Sequence, residues 1–171
     1  MTSILTPVSA IVAGKIKLKI RVRVINLWTV SEFNNPNEIT GIHMLLLDDK
    51  MGKIQAFGKK ILVPKIKSLV EEGSCYEIEN VLVTRNETKF RCTGHWFRLN
   101  LIDITRFTKI DCSDIPKYHY DFIPFKEVLE STKEDKYTDV IGHVVERDVL
   151  REKVVNGKKS KLIDLTLEDS E

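Results

Sequence analysis

Five cations, Lys15, Lys17, Lys19, Arg21 and Arg23, alternate without a break with Ile16, Leu18, Ile20, Val22 and Val24. Successive strand residues point to opposite faces, so this spacing predicts one strand with an apolar face and a cationic one. At ~3.3 Å per residue the cationic ridge is on the order of 30 Å long. Soluble strands carry polar residues outward, and Lys or Arg there also guards an edge against aggregation. Such faces ordinarily mix signs, however, and a run free of acid repels itself until an anion neutralises it. A nucleic-acid backbone is such an anion, and Lys17, Lys19, Arg21 and Arg23 are candidate phosphate contacts.

Gripping a single strand requires aromatic faces for the bases as well as cations for the phosphates. The chain places Trp28 where the basic strand ends and Phe33 in the stretch that follows, and later sets Phe90, Trp96 and Phe97 beside Arg91 and Arg98. Catalysis has no comparable equipment. A phosphate loop, a GxSxG nucleophile elbow, an HExxH pair and a GxGxxG turn are all absent. Asp48-Asp49 reads as hairpin-turn chemistry in preference to a metal pair, and His43, His95, His119 and His143 stand apart from Cys and from one another. Cys75, Cys92 and Cys112 are odd in number and widely spaced, which argues against a disulfide framework and a zinc site and for a reducing compartment. No catalytic residue, metal or cofactor is expected.

With 171 residues the chain can bury one good core. Hydrophobic residues make up 42% and charged residues 30%, the balance of a globular protein, and no apolar run approaches the ~20 residues of a membrane span. The first stretch lacks the basic n-region of a signal peptide. The net charge of +2 is unevenly spread: residues 1–110 carry 17 Lys and Arg against 10 Asp and Glu, and the rest carry 10 against 15. The binding surface is therefore sought in the first part.

Elements follow from periodicity and punctuation. The basic strand runs on to about Trp28, and Asn34-Asn35-Pro36-Asn37 marks a loop. Ile42 to Leu47 and Lys53 to Phe57 form a hairpin about Asp48–Gly52. Ile61, Leu62, Ile66, Leu69 and Val70 recur at helical spacing, with Pro64 early and Gly73 as the stop, although Glu71 and Glu72 lie at the unfavourable end of the helix dipole. Cys75 to Thr84 alternates again, and Lys89 to Leu101 supplies the last strand or pair of strands. Five strands with one short helix between the third and fourth is the order of an all-β OB-fold barrel.

The runs Lys19–Trp28, Asn35–Glu38, Leu46–Asp49, Leu62–Gly73 and Phe90–Phe97 resemble, in order and spacing, the plant-type OB domains similar to the large subunit of replication protein A, Helitron-related relatives included. The resemblance implies a nuclear, non-catalytic protein of DNA replication, repair or recombination. It would bind single-stranded DNA, or RNA, with other replication protein A-like subunits as partners and no membrane. It also implies that Phe90 holds the place of a stacking aromatic on the last strand, and that Trp28 and Phe33 belong to a loop that helps to clamp the strand. At the second-strand stacking position this chain has Ile42 or His43, and imidazole stacks less well. Lys17, Lys19, Arg21, Arg23, Trp28, Phe33, His43, Phe90, Arg91, Trp96 and Arg98 are thus the expected nucleic-acid contacts. The alternative is an interaction module whose basic groove takes an acidic partner peptide.

Ile115 to Phe125 resembles the linker and lead-in to a second OB domain of that family. Val140-Ile141-Gly142-His143-Val144 and Leu162–Asp169 repeat, 120 residues on, the pattern of Ile20–Val24 and Ile42–Asp49. The expected organisation is an OB domain over 1–110, a linker over 111–136, and an incomplete second OB-like segment over 137–171. Its two strands cannot bury a core of their own and should form a ribbon.

Overall fold

Inward-facing Ile20, Val22 and Val24, each fully buried, nucleate the sheet on which the first part of the chain is built. The computed structural model describes residues 5–14, 18–32, 35–88, 91–131, 137–155 and 157–170. It groups them into two units, residues 1–119 with 135–137, and residues 120–134 with 138–171. The stretch expected to be a linker is thus divided between them.

In the first unit, β1 (Lys19–Ser31) pairs antiparallel with β2 (Ile39–Leu47), and β2 with β3 (Lys53–Lys59). A 3-10 turn (Lys60–Leu62) leads into α1 (Val63–Leu69), which buries Val63 and Ile66 against the barrel. Next come β4 (Cys75–Glu79), β5 (Leu82–Arg85), β6 (Phe97–Asn100) and β7 (Arg106–Ile110). β4 pairs with β1 while β5 pairs with β6, and β6 runs parallel to β3. Only Asn80, in the left-handed region at φ 59°, and Val81 separate β4 from β5. One bent strand therefore joins both ends of the sheet and curls it into the five-stranded OB barrel, with β7 added beyond β4.

Two differences from the sequence reading have plain causes. Glu71 and Glu72 lie beyond the last turn of α1 and so do not oppose its dipole; Glu71 pairs with Lys109 and Glu72 accepts the Leu27 N–H at 2.7 Å. A disulfide joins Cys75 to Cys112, against the expectation that no cysteine pair is bonded. Its cause is β7: pairing of Cys75 with Ile110 returns the chain over β4, and the spacing of cysteines in sequence does not reveal that return. Leu47, Cys75, Cys112 and Ile115, with Ile25 and Ile110, form a small apolar cluster separate from the main core.

The turn between β2 and β3 gives Asp48 its role. It is 2% exposed and accepts the backbone N–H groups of Lys50 and Gly52. Its other oxygen accepts from Val8 at 2.7 Å, fixing the N-terminal segment whose Val8 and Ile11 enter the core.

The second unit holds α2 (Phe125–Glu130) and the strands β8 (His143–Arg147), β9 (Arg151–Val155), β10 (Lys158–Leu162) and β11 (Leu165–Glu168). β9 pairs with β10 and β8 with β11, so the four pieces make one long hairpin interrupted where Asp148 N–H donates to Asp164 O. Every residue of β8 and β11 is exposed, because two paired strands enclose no core.

Candidate nucleic-acid interface

The cations of β1 find partners within the chain, acids for Lys19 and Arg21 and backbone carbonyls for Arg23. Lys19 lies across from Glu79 in the β1–β4 register, and its Nζ is 2.8 Å from Glu77 and 3.3 Å from Glu79. Arg21 forks onto Asp114, with Nη2 donating to Oδ1 at 2.7 Å. Arg23 donates to the carbonyls of Gly73 (2.6 Å), Cys112 (2.9 Å) and Ile115 (2.7 and 3.1 Å). The expected ridge is thus held by β4 and by residues 111–115 instead of standing open to a polyanion. Its Lys17 lies outside the described residues, as do Phe33 and Phe90.

A different surface is assembled by a bulge. The β1–β2 register shifts between Val24 and Asn26, so Ile25 is inserted and the inward set changes parity from Val24 to Leu27. Without that residue Trp28 would follow Val22 and Val24 into the core; with it, Trp28 emerges on the outer face opposite His43. Trp28 and His43 stack with ring centroids 5.4 Å apart and planes 14° apart. His43 in turn meets Phe57, its partner across the hairpin, at 4.8 Å, and the Arg98 guanidinium lies over the Phe57 ring at 5.6 Å. Four of the five barrel strands, β1, β2, β3 and β6, thereby carry one transverse stripe of flat side chains.

The stripe continues across β6 into β5. Thr84 pairs with Arg98, and Asn100 Nδ2 donates to Thr84 Oγ1 at 2.7 Å. Here a cleft of 550 Å³ is lined by Phe57, Thr84 and Asn100 among others, with three cations, Lys59, Arg85 and Arg98, against one acid, Glu87. Farther along, the β5–β6 loop closes with Asn86 N–H donating to Trp96 O. Trp96 is 76% exposed, with Arg91 over its ring at 5.5 Å. Of the residues expected from sequence, Trp28, His43 and Arg98 come together, and Arg91 and Trp96 form a second group on the loop.

Phe57, Lys59, Arg85 and Asn100 were not anticipated. Phe57 had a signal: a hairpin centred on Asp48–Gly52 pairs His43 with position 57. Gly41 makes room for its ring, since a Cβ there would stand 2.5 Å from Phe57 Cε2 and 2.8 Å from the Gly58 carbonyl. We predict that Gly41→Ala displaces the ring and weakens single-strand binding by about 1 kcal/mol, the low end of one lost base stack. Titration by fluorescence anisotropy measures it, and an unchanged affinity would remove Phe57 from the interface.

Burial, and after it the Arg98 charge, hold the His43 imidazole below the ordinary histidine value. The unfolded chain therefore takes up this proton first. His43 contributes its full stability above an unfolded value of about 6.5, and that contribution is lost as the pH falls through the lower folded value. We predict a melting temperature that drops from about pH 7 to about pH 5, and a flatter profile for His43→Phe. Glu38, Glu71 and Asp114, held low chiefly by hydrogen bonds from Lys60, Lys109 and Arg21, add a loss of the same sign only in more acid solution.

Residues 10–131 match the family model described as Domain of unknown function DUF223. The chain belongs to this family. In sequence it is 27% identical over 142 residues to the replication protein A 70 kDa DNA-binding subunit of Danio rerio, a match covering 82% of this chain. The chain spans about a quarter of that relative's length (24%). In structure it resembles a replication protein A heterotrimer bound to ssDNA, with a TM-score of 0.60 at 24% identity, covering 96% of this chain and 39% of that one. DNA-binding domain A of Saccharomyces cerevisiae replication protein A superposes with a TM-score of 0.45 at 17% identity, over 63% of this chain and 94% of that domain. The OB fold of this DUF223 member agrees with the strand order expected from its sequence.

Proposed function

We propose that this chain binds single-stranded DNA without catalysis, laying bases on the Trp28–His43–Phe57 stripe while Lys59, Arg85 and Arg98 meet the phosphates. The observation that carries the reading is the stripe itself, half-buried aromatic rings on the outer face of consecutive strands beside a cleft with three cations. The sequence relationship to a DNA-binding subunit supports it. Arg91 and Trp96 extend the path along the loop, and Lys17, Phe33 and Phe90 retain their place as proposed contacts. Lys19, Arg21 and Arg23 are not assigned to phosphates, because each is engaged inside the chain. The setting proposed is nuclear DNA replication, repair or recombination, alongside other replication protein A-like subunits.

The test is an anisotropy titration with oligo-dT, oligo-rU and a duplex of equal length at several salt concentrations. Oligo-dT should bind at least about tenfold more tightly than duplex, with a slope of log K against log[salt] of about −0.7 for each phosphate contacted. Equal binding of oligo-dT and duplex would overturn the reading. Tighter binding of oligo-rU would replace DNA by RNA, and binding of an acidic peptide alone would make the cleft an interaction module.

A further inference from the structure

Under the aromatic stripe lies a polar pair that stacking alone does not require. Gln55 is 3% exposed, and its Nε2 is 2.8 Å from His43 Nδ1. An amide nitrogen can only donate, so Nδ1 accepts and the ring carries its proton on Nε2. This contact fixes the amide with Oε1 directed elsewhere, and among the described residues Oε1 accepts no hydrogen bond. Arg98 Nε, also buried, donates none among the described residues either. The pairing of Ala56 with Leu99 and of Phe57 with Asn100 makes Gln55 and Arg98 neighbours on the outer face of adjacent strands. Buried polar atoms are nearly always satisfied, and leaving one unpaired destabilises the fold. A surface offering only ring faces would be served better by Leu or Met at position 55.

We propose that Gln55 reads the edge of one base of the bound strand, an inference that rests on the single-strand reading above. The base takes the place now held by the Arg98 guanidinium on the Phe57 ring, where a cation–π contact at 5.6 Å holds that side chain. Moving the guanidinium off the ring toward a phosphate opens Gln55 Oε1 to an N–H donor on the base. Adenine and cytosine offer an exocyclic amino group beside a ring nitrogen, whereas thymine offers a ring N–H between two carbonyls. A fixed acceptor meets these edges unequally, since it takes the amino hydrogen of adenine or cytosine freely but faces a carbonyl oxygen on either side of the thymine N–H, so this position discriminates where stacking by itself tolerates every base.

The experiment compares oligo-dT, oligo-dA and oligo-dC of equal length, with a duplex control, on the unmodified protein and on Gln55→Leu. Leu keeps the side-chain volume and removes the unpaired acceptor; Gln55→Met serves the same purpose if Leu impairs folding. The unmodified protein should separate its tightest and weakest homopolymers by about fivefold or more, the worth of one hydrogen bond, and the variant should compress that spread to within about twofold. Three homopolymers bound alike by the unmodified protein, yet all more tightly than duplex, overturn the base reading and leave single-strand binding standing. An equal weakening of all three in the variant, with the spread kept, overturns it too and makes Gln55 a positioning residue for His43. No preference for any homopolymer over duplex removes the single-strand reading and this inference with it.

Discussion

Replacing Arg23 by Ala should lower the stability of the first unit by about 3 kcal/mol, with little effect on the salt dependence of nucleic-acid binding. The guanidinium makes four hydrogen bonds to three carbonyls that no strand ladder satisfies, those of Gly73, Cys112 and Ile115. Hydrogen bonds from a charged donor are each worth about 1.5–3 kcal/mol, and shared partners keep them from adding fully. Loss of the side chain also loosens the return of residues 111–115 over β4, where Ile115 is 1% exposed. Urea unfolding followed through tryptophan fluorescence should show a lower midpoint with an unchanged slope. Arg23→Lys should recover little of it, since a single ammonium cannot reproduce the planar fork. Lys19→Ala, which removes only partly exposed ion pairs, should shift the midpoint far less than Arg23→Ala. If Arg23→Ala left stability intact but reduced the salt slope, Arg23 would return to the list of phosphate contacts.

That contrast shows where the sequence was legible and where it was not. The barrel could be read because its determinants are local: alternation in β1, a hairpin about Asp48, helical spacing before Gly73, and a fifth strand ending near Leu101. The fate of the cations could not. An acid-free strand looks unneutralised when taken alone, yet Glu77 and Glu79 alternate on the neighbouring strand in the register that meets Lys19 and Arg21. Charge on a sheet has to be judged across the ladder. Arg23 depends on chain that returns after β7, a connection with no sequence signature, and the Cys75–Cys112 bond depends on that same return. Trp28 illustrates a third kind of loss. Strict alternation assigns it to the core, and one inserted residue at Ile25, unmarked by Gly or Pro, turns it outward. His43 and Arg98 were found through their residue types, whereas Phe57, in the apparently ordinary strand Lys53–Lys59, becomes visible only once its register with His43 is known.

Phe57 is consequently where substitution should affect binding most. Its ring touches His43 on one side and carries Arg98 on the other, so it links the stacked pair of β1 and β2 to the cationic cleft on β5 and β6. We predict that Phe57→Ala weakens oligo-dT binding by about 1–3 kcal/mol, roughly fivefold to 150-fold, at every salt concentration. The salt slope should not change, because a lost stack releases few counterions. Lys59→Ala is the complementary measurement: a smaller loss at moderate salt, with the slope reduced by about 0.7 for one phosphate contact. Because Phe57 also packs within the protein, its loss of binding must be separated from loss of structure. Phe57→Leu retains an apolar side chain without a π-face, and should bind nearly as weakly as Ala while melting close to the unmodified protein; Phe57→Tyr should restore binding. If Leu bound as well as Phe, the ring would be acting by packing alone. The strand would then have to stack elsewhere, with Trp96 on the exposed loop as the next residue to replace.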